Sequence, residues 1–309
     1  MSYLNRIFLK SCESMDELPT GSVQLTVTSP PYWNSIDYDS HIEDSSAEYR
    51  GRKDVDYHRE YIPFLERCFT EVFRVHSDGS FCAAIVGTVL YKHKHTPLPH
   101  DFTCLMQKIG WEFHQDIVWY KCTGGVKRAG STIRNPYPGY YYPNLMTEYI
   151  LIFRKPSSDG DTPRIFQSKS SEAKHADSYA TDAVFKYDIA NNIWHIAPVP
   201  PKQIDHPCAF PEEIPHRIIK LYSYKDDLVL DPFAGAGTTL KVAKHLGRNW
   251  VGYEITRKYV DMSLKRISEP FHLRKQLICR FEKIKYGEQL FPKNKPRAPF
   301  RLKKNKKTL

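Results

Sequence analysis

The chain has 309 residues, 41% of them hydrophobic, and a net charge of +10. That length suits one large α/β core, or a core with an inserted module, and the longest apolar runs, such as Tyr149 to Phe153, are too short to cross a bilayer. Residues 1–6 lack the apolar segment of a signal peptide and the seven cysteines form no C-x-x-C pair, so a cytoplasmic protein with reduced thiols is expected, and no metal site.

Val23 to Val27 reads as a strand entering a core, and it ends in Thr28-Ser29-Pro30-Pro31-Tyr32-Trp33. Consecutive prolines fix φ and remove two backbone donors, so the carbonyls of Ser29 and Pro30 are able to face a ligand. A polar acceptor beside two aromatic faces suits a planar molecule with an exocyclic amino group, such as a flipped nucleobase. On these residues alone a plain proline turn closing a strand is as good a reading. Residues 34–57 are polar, with Arg50, Arg52 and Lys53, and read as a loop that either closes over a substrate or has no fixed order.

Tyr61, Phe64, Leu65, Cys68, Phe69, Val72 and Phe73 recur at helical spacing, with Asp78-Gly79 expected to end that helix. Ser80 to Val86 predicts a strand, Pro99 to Ile109 a helix closed by Gly110, and Glu112 to Tyr120 another strand. The histidines of 91–100 match no zinc spacing and read as a basic surface loop. Residues 121–145 interleave Lys121, Lys127, Arg128 and Arg134 with tyrosines, a composition that binds phosphates and stacks on bases, or simply packs. Tyr149 to Phe153 is a buried strand, and from Pro156 to about Asp188 the chain turns polar, the best candidate for an insertion outside the core.

Pro211 opens a helix with Glu212 and Glu213 at its positive end. Pro207-Cys208 is read as a small buried cysteine, since no partner base is identifiable for it. Asp227 to Asp231 predicts a strand, Pro232 to Gly237 a small-residue turn, Thr238 to Leu246 a helix, and Asn249 to Glu254 a strand ending in an acid. A Gly-x-Gly turn opening a helix, with a carboxylate at the tip of the next strand, points to a ribose-containing ligand, the alternative being a tight β–α connection. Leu240 stands where a third glycine would serve a pyrophosphate, which favours a nucleoside ligand without one. Residues 293–309 carry eight Lys or Arg and no acid, a tail that aids solubility or binds phosphates weakly.

Five stretches taken together, Thr28 to Trp33, Trp119-Tyr120-Lys121, Glu148 to Lys155, His206 to Pro211 and Asp231 to Thr239, resemble the amino-methyltransferases of DNA in their β-type motif order, over residues 20–268. The resemblance implies an α/β, doubly wound, Rossmann-like methyltransferase sheet with inserted target-recognition segments. It divides the chain into a catalytic half (1–155), an inserted target-recognition segment (156–205), a cofactor half (206–270) and a C-terminal extension with the basic tail (271–309). The implied cofactor is S-adenosylmethionine, held by Asp231, Phe233, Ala234, Gly235, Gly237, Thr238 and Thr239, with Glu254 on the ribose and His206 and Phe210 on its other side. Ser29, Pro30, Pro31 and Tyr32 match the catalytic turn, where the target base stacks on Tyr32 and its amine donates to Ser29 and the Pro30 carbonyl.

Trp33, Arg50, Arg52, Lys53, Lys121, Lys127, Arg128 and Arg134 are the expected contacts to double-stranded DNA. Ser at the first position of the turn is more usual for methylation of cytosine N4, and Asp or Asn for adenine N6. Lys10-Ser11-Cys12 matches the family's adenine-facing segment only in part. The implied partner is a restriction endonuclease of the same site, and the implied state a monomer or homodimer. Rival readings are an adenine N6 enzyme, an RNA methyltransferase and an inactive DNA-binding module.

Overall fold

A computed structural model describes residues 3–33, 55–91, 94–121, 145–157, 169–178, 189–199, 204 and 209–271. All of them fall in a unit that runs from Met1 to Leu273. Its strands are β1 (Arg6–Leu9), β2 (Val23–Thr28), β3 (His76–Val86), β4 (Val89–Tyr91), β5 (Lys94–Thr96), β6 (Glu112–Tyr120), β7 (Thr147–Arg154), β8 (Ile193–His195), β9 (Leu228–Asp231) and β10 (Asn249–Glu254). The helices are α1 (Ile62–Val75), α2 (Leu98–Ile109), α3 (Ser171–Asp177), α4 (Glu213–Tyr222), α5 (Thr238–His245) and α6 (Arg257–Ser268).

Eight strands form one sheet in the order β1-β10-β9-β2-β3-β7-β6-β8, while β4 and β5 pair as a separate hairpin. Neighbours run parallel except at β7, which is antiparallel to both β3 and β6. The central strands are apolar on both faces because helices cover both. On one side Phe64, Leu65, Cys68, Phe69 and Val72 of α1 pack with Phe102, Leu105 and Met106 of α2. On the other, Ile214, Ile218 and Ile219 of α4 pack with Leu240, Val242 and Ala243 of α5 and Ile267 of α6.

The sequence-predicted elements of the core are present with shifted ends. The first helix stops at Val75, and β3 starts at His76, ahead of Asp78-Gly79. The reason is a buried polar link: His76 Nε2 lies 2.7 Å from Thr26 Oγ1 on β2, and its Nδ1 lies 2.7 Å from Ser80 Oγ. Burial holds the imidazole neutral, its pKa pushed down to about 3. Pro211 precedes α4 rather than opening it, and Pro215 falls inside the helix's first turn, where a missing N–H costs little. Val89–Tyr91 and Lys94–Thr96, where a surface loop was expected, pair as the antiparallel strands β4 and β5. β1, β8, α3 and α6 lacked a sequence signal strong enough to predict them.

From β2 the chain crosses through α1 to β3 on one side, whereas from β9 it crosses through α5 to β10 on the other. The crossovers diverge between β2 and β9, which creates a crevice at the carboxyl ends of these adjacent strands. The 156–205 stretch starts at the opposite end of the sheet, because β7 runs antiparallel to β3. Lys169 is anchored there, its Nζ 2.6 Å from Asp227 Oδ1 at the foot of β9. β8 then leads back up beside β6.

Candidate active site

The turns that follow β2 and β9 meet in that crevice. Thr28 Oγ1 donates to Asp231 Oδ1 at 2.7 Å, joining residues 203 apart in sequence. Both side chains are buried. Burial pushes the Asp231 carboxyl up to about 6, with Glu254 adding to the rise and the hydrogen bonds from Thr28 and the Phe233 N–H opposing it.

The turn after β9 is tied mainly to its own surroundings. Ala234 N–H donates to Tyr253 O at 2.9 Å and Gly237 N–H to Ala234 O at 2.7 Å. Gly235 and Gly237 have φ of 47° and 71°. At Gly237 a side chain is excluded twice over, since an added Cβ would stand 2.8 Å from Ser263 Cβ. Ser263 of α6 donates its hydroxyl to Gly235 O at 2.6 Å, and Arg266 bonds to Ala236 O and, at 3.2 Å, to Thr238 Oγ1. At the tip of β10 the Glu254 carboxylate accepts from Gly235 N–H through Oε2 and from Thr256 N–H through Oε1, both at 2.9 Å. Burial raises its pKa. Thr239 is buried beneath the turn and donates to Val27 O at 3.0 Å. Phe233 is partly buried, with its ring 6.2 Å from both Phe64 and Phe69.

The turn after β2 is suspended from other elements instead. Ser29 Oγ donates to Ile85 O on β3 at 3.1 Å. Tyr61, fully buried in a π-helical turn just before α1, donates its hydroxyl to Pro31 O at 2.8 Å. Trp33 Nε1 donates to Val55 O at 2.7 Å, and its ring meets the edge of Tyr57 at 5.0 Å. Tyr57 in turn stacks on Tyr61 and donates to Asp101 Oδ2 at 2.9 Å. Pro30 is buried, whereas Ser29, Pro31 and Tyr32 are half-buried.

The chain matches the family described as DNA methylase (N6_N4_Mtase) over residues 23–265. It belongs to the DNA methylase family. The type II methyltransferase M.MjaI of Methanocaldococcus jannaschii is 31% identical over 86% of this chain and 90% of its own length. TTHA0409 of Thermus thermophilus, solved in complex with S-adenosyl-L-methionine, superposes with a TM-score of 0.63 at 28% identity, covering 85% of this chain and 94% of that one. PvuII DNA methyltransferase, described as cytosine-N4-specific, shares the fold with a TM-score of 0.61 at 18% identity, over 89% of this chain and 90% of its own. The doubly wound methyltransferase sheet expected from the sequence is the sheet observed.

In this methylase, Ser29, Pro30, Pro31 and Tyr32 lie at the tip of β2, across the crevice from Asp231, Phe233, Ala234, Gly235, Gly237 and Thr238, with Glu254 on the next strand tip. The cradle fits a nucleoside cofactor. Left-handed glycines leave the main chain open to close approach, the N-terminus of α5 follows, and the Glu254 carboxylate is oriented by two backbone N–H groups. Phe210 packs against the core on the α4 side. His206, Arg50, Arg52, Lys53, Lys127, Arg128 and Arg134 lie outside the described residues. Lys121 is paired within the chain to Glu148, its Nζ 5.0 Å over the Trp119 ring.

Sequence reasoning did not single out Tyr61, Ser263, Arg266 or the Lys121–Glu148 pair. Tyr61 reads as one more apolar position of a helix, and only the fold turns its hydroxyl towards Pro31. Ser263 and Arg266 lie three apart on α6, a spacing that puts both on one helix face; that pattern was the available signal.

Proposed function

We propose that this methylase transfers a methyl group from S-adenosylmethionine to the exocyclic N4 of a cytosine flipped out of double-stranded DNA. The observation that carries the reading is Ser29 at the head of the turn. Its hydroxyl proton is committed to the Ile85 carbonyl, so the oxygen presents lone pairs to whatever enters the crevice. An amino group donates to such an oxygen and to the Pro30 carbonyl, and Tyr32 supplies the ring on which the base stacks. Asp231, Phe233 to Gly235, Gly237 and Thr238 would hold the cofactor, with Glu254 accepting from its ribose hydroxyls.

When bound, S-adenosylmethionine supplies an electrophilic methyl group on a sulfonium centre. Glu254 and the glycine turn fix the donor's side of the crevice, and the Tyr61 and Ile85 bonds fix the acceptor's side. Alignment of the two accounts for much of the rate, and the acceptors around the amine for the rest.

DNA contacts are proposed for Trp33 with Arg50, Arg52 and Lys53, and for Lys121 with Lys127, Arg128 and Arg134. The described residues that flank both stretches, Trp33 with Val55 and Lys121 with Met146, are joined by hydrogen bonds. Lys121 and Met146 stand beside the strand ends that face the crevice. A protective role against a cognate restriction nuclease follows from the same reading. The test is methylation of duplex DNA with tritiated cofactor, followed by digestion to nucleosides. Labelled N4-methyl-2′-deoxycytidine is expected, and N6-methyl-2′-deoxyadenosine as the sole labelled product would overturn the choice of base.

A further inference from the structure

Transfer to an amine leaves a proton to be disposed of, and the turn after β2 has no group that can hold it. Ser29 is a hydroxyl whose own proton already goes to Ile85 O, and the prolines offer only carbonyls. Among the described residues, a carboxylate on that side of the sheet is found by following the register across the strands. Ile85 stands opposite Ile150, and Ile150 opposite Ile117, all three in the core beneath α4 and α5. Two residues on towards the crevice end of the sheet, on the same face, Glu148 of β7 stands opposite Trp119 of β6, with Gly87 just past the end of β3. This second row is the next one beyond Ile85, the residue to which the Ser29 hydroxyl is tied.

Glu148 lies across Gly87. A Cβ at position 87 would stand 2.9 Å from Glu148 Cγ and 3.7 Å from its Oε1, so the glycine is what gives the carboxylate room at the end of β3, next to β2. Lys121 bonds to it from the end of β6 and lies over Trp119, with side-chain exposures of 17% for Lys121 and 14% for Glu148. A carboxylate and its counterion are thus kept largely from water beside the catalytic turn, with no role in holding two elements together that β6–β7 pairing does not already fill.

We propose that Glu148, oriented by Lys121, takes the proton released by the target amine. The inference rests on the amine-methylating reading above. In the balanced step the amine lone pair forms the N–CH3 bond as the S–CH3 bond breaks, and the sulfonium becomes a neutral thioether. As positive charge builds on the nitrogen in the transition state, one of its protons passes to the Glu148 carboxylate, which later releases it to water. A methylated amino group on an aromatic base that still bears both its hydrogens is a far stronger acid than a carboxylic acid, so the Lys121 charge does not prevent the transfer. Other charged or titratable groups near this row are the Arg217–Glu213 pair of α4, stacked 5.0 Å from Trp194 on β8, and, alternating to the opposite face, Tyr120, His195 and Tyr149.

The experiment compares wild type, Glu148→Gln and Lys121→Met in single-turnover methylation across pH, with cofactor binding by calorimetry and DNA binding by anisotropy. The Gln variant keeps the shape and an acceptor for Lys121. Its rate is expected to fall about 100-fold, within the usual range for loss of a general base, with both binding constants within twofold of wild type. The decline in wild-type rate on acidification should be absent from it. Lys121→Met, which leaves Glu148 without its orienting partner, should also lower the rate, by less than the Gln variant, with cofactor binding unchanged. A Gln variant with the wild-type rate, with the acid decline intact, or with binding lost in proportion to rate overturns the proposal while wild-type methylation still supports the enzyme. If the wild type methylates no amine, the underlying reading falls first.

Discussion

The two turns that meet at the crevice are built on different plans. The one after β9 is held by its own main chain and by the immediately following β10 and α6, with Tyr253, Glu254, Ser263 and Arg266 all bonding to its backbone. The one after β2 is held at single points by groups from separate elements: Thr28 on Asp231, Ser29 on Ile85, Tyr61 on Pro31 and Trp33 on Val55. A locally closed cradle suits a cofactor that is the same in every turnover. A platform suspended from several supports positions a reacting group while leaving an open face for a large substrate. Damage to the first should therefore appear in cofactor affinity, and damage to the supports of the second in turnover.

The largest effect is expected from Gly237→Ala. It combines a left-handed φ of 71° with a 2.8 Å clash against Ser263, and overpacking of this kind costs about 1–3 kcal/mol before backbone strain is added. Cofactor binding should become undetectable by calorimetry, and the urea midpoint should drop. Retained affinity would show that the cradle is looser than its bonds imply.

Asp231 comes next. Its carboxyl rises on folding from an ordinary 3.8 to about 6. An acid raised in this way stabilises the fold where it is protonated. That contribution is complete below about pH 4 and is lost as pH rises through about 6, a difference on the order of 3 kcal/mol. Asp231→Asn keeps an oxygen for Thr28 and the Phe233 N–H, so denaturant melts of the free protein should lose this pH dependence and show greater stability at pH 7.5. The same variant should bind the positively charged cofactor more weakly. An unchanged melting profile between pH 4 and 7 would contradict the burial of an ionised Asp231.

Tyr61→Phe removes one support of the turn after β2 and leaves the Pro31 carbonyl without its partner, a loss of about 1–2 kcal/mol. Single-turnover rate should fall about tenfold with cofactor affinity unchanged; equal losses in both would erase the distinction between the two turns. Lys169→Met acts at the far end of the sheet, on the bridge between partly buried Lys169 and buried Asp227, which keeps its bond from the Tyr224 N–H. It should lower stability by about 1 kcal/mol or less and leave the rate of methyl transfer alone, as steady-state assays would show.

The same contrast explains what was legible in the sequence. The cradle is local, so its glycines, its strand before and helix after, and Glu254 stand close enough together to be read as a unit. The sheet's central strands were readable because they are apolar on both faces. The turn after β2 announced its prolines and aromatics, but its supports did not appear, since Tyr61, Ile85 and Asp231 become its neighbours only through long-range pairing. Short edge strands such as β1 and β8 carry few residues and mixed burial, leaving little pattern to detect. The proposed target-recognition stretch at 156–205 was placed by polar composition as far as about Asp188 and by the family resemblance beyond it. Composition gives no direction, and Lys169 at the foot of β9 shows that the described part of it reaches the end of the sheet away from the crevice.

The Trp33–Val55 bond has a bearing on how such a protein changes over time. By joining the two ends of residues 34–54 at 2.7 Å, it makes the base of that excursion independent of what lies within it. Lengthening a closed excursion is inexpensive, about 0.6 kcal/mol for each doubling. The intervening residues are therefore an exchangeable cassette: descendants of this chain can replace them or vary their number while Tyr57, Tyr61 and the Ser29 turn stay as they are.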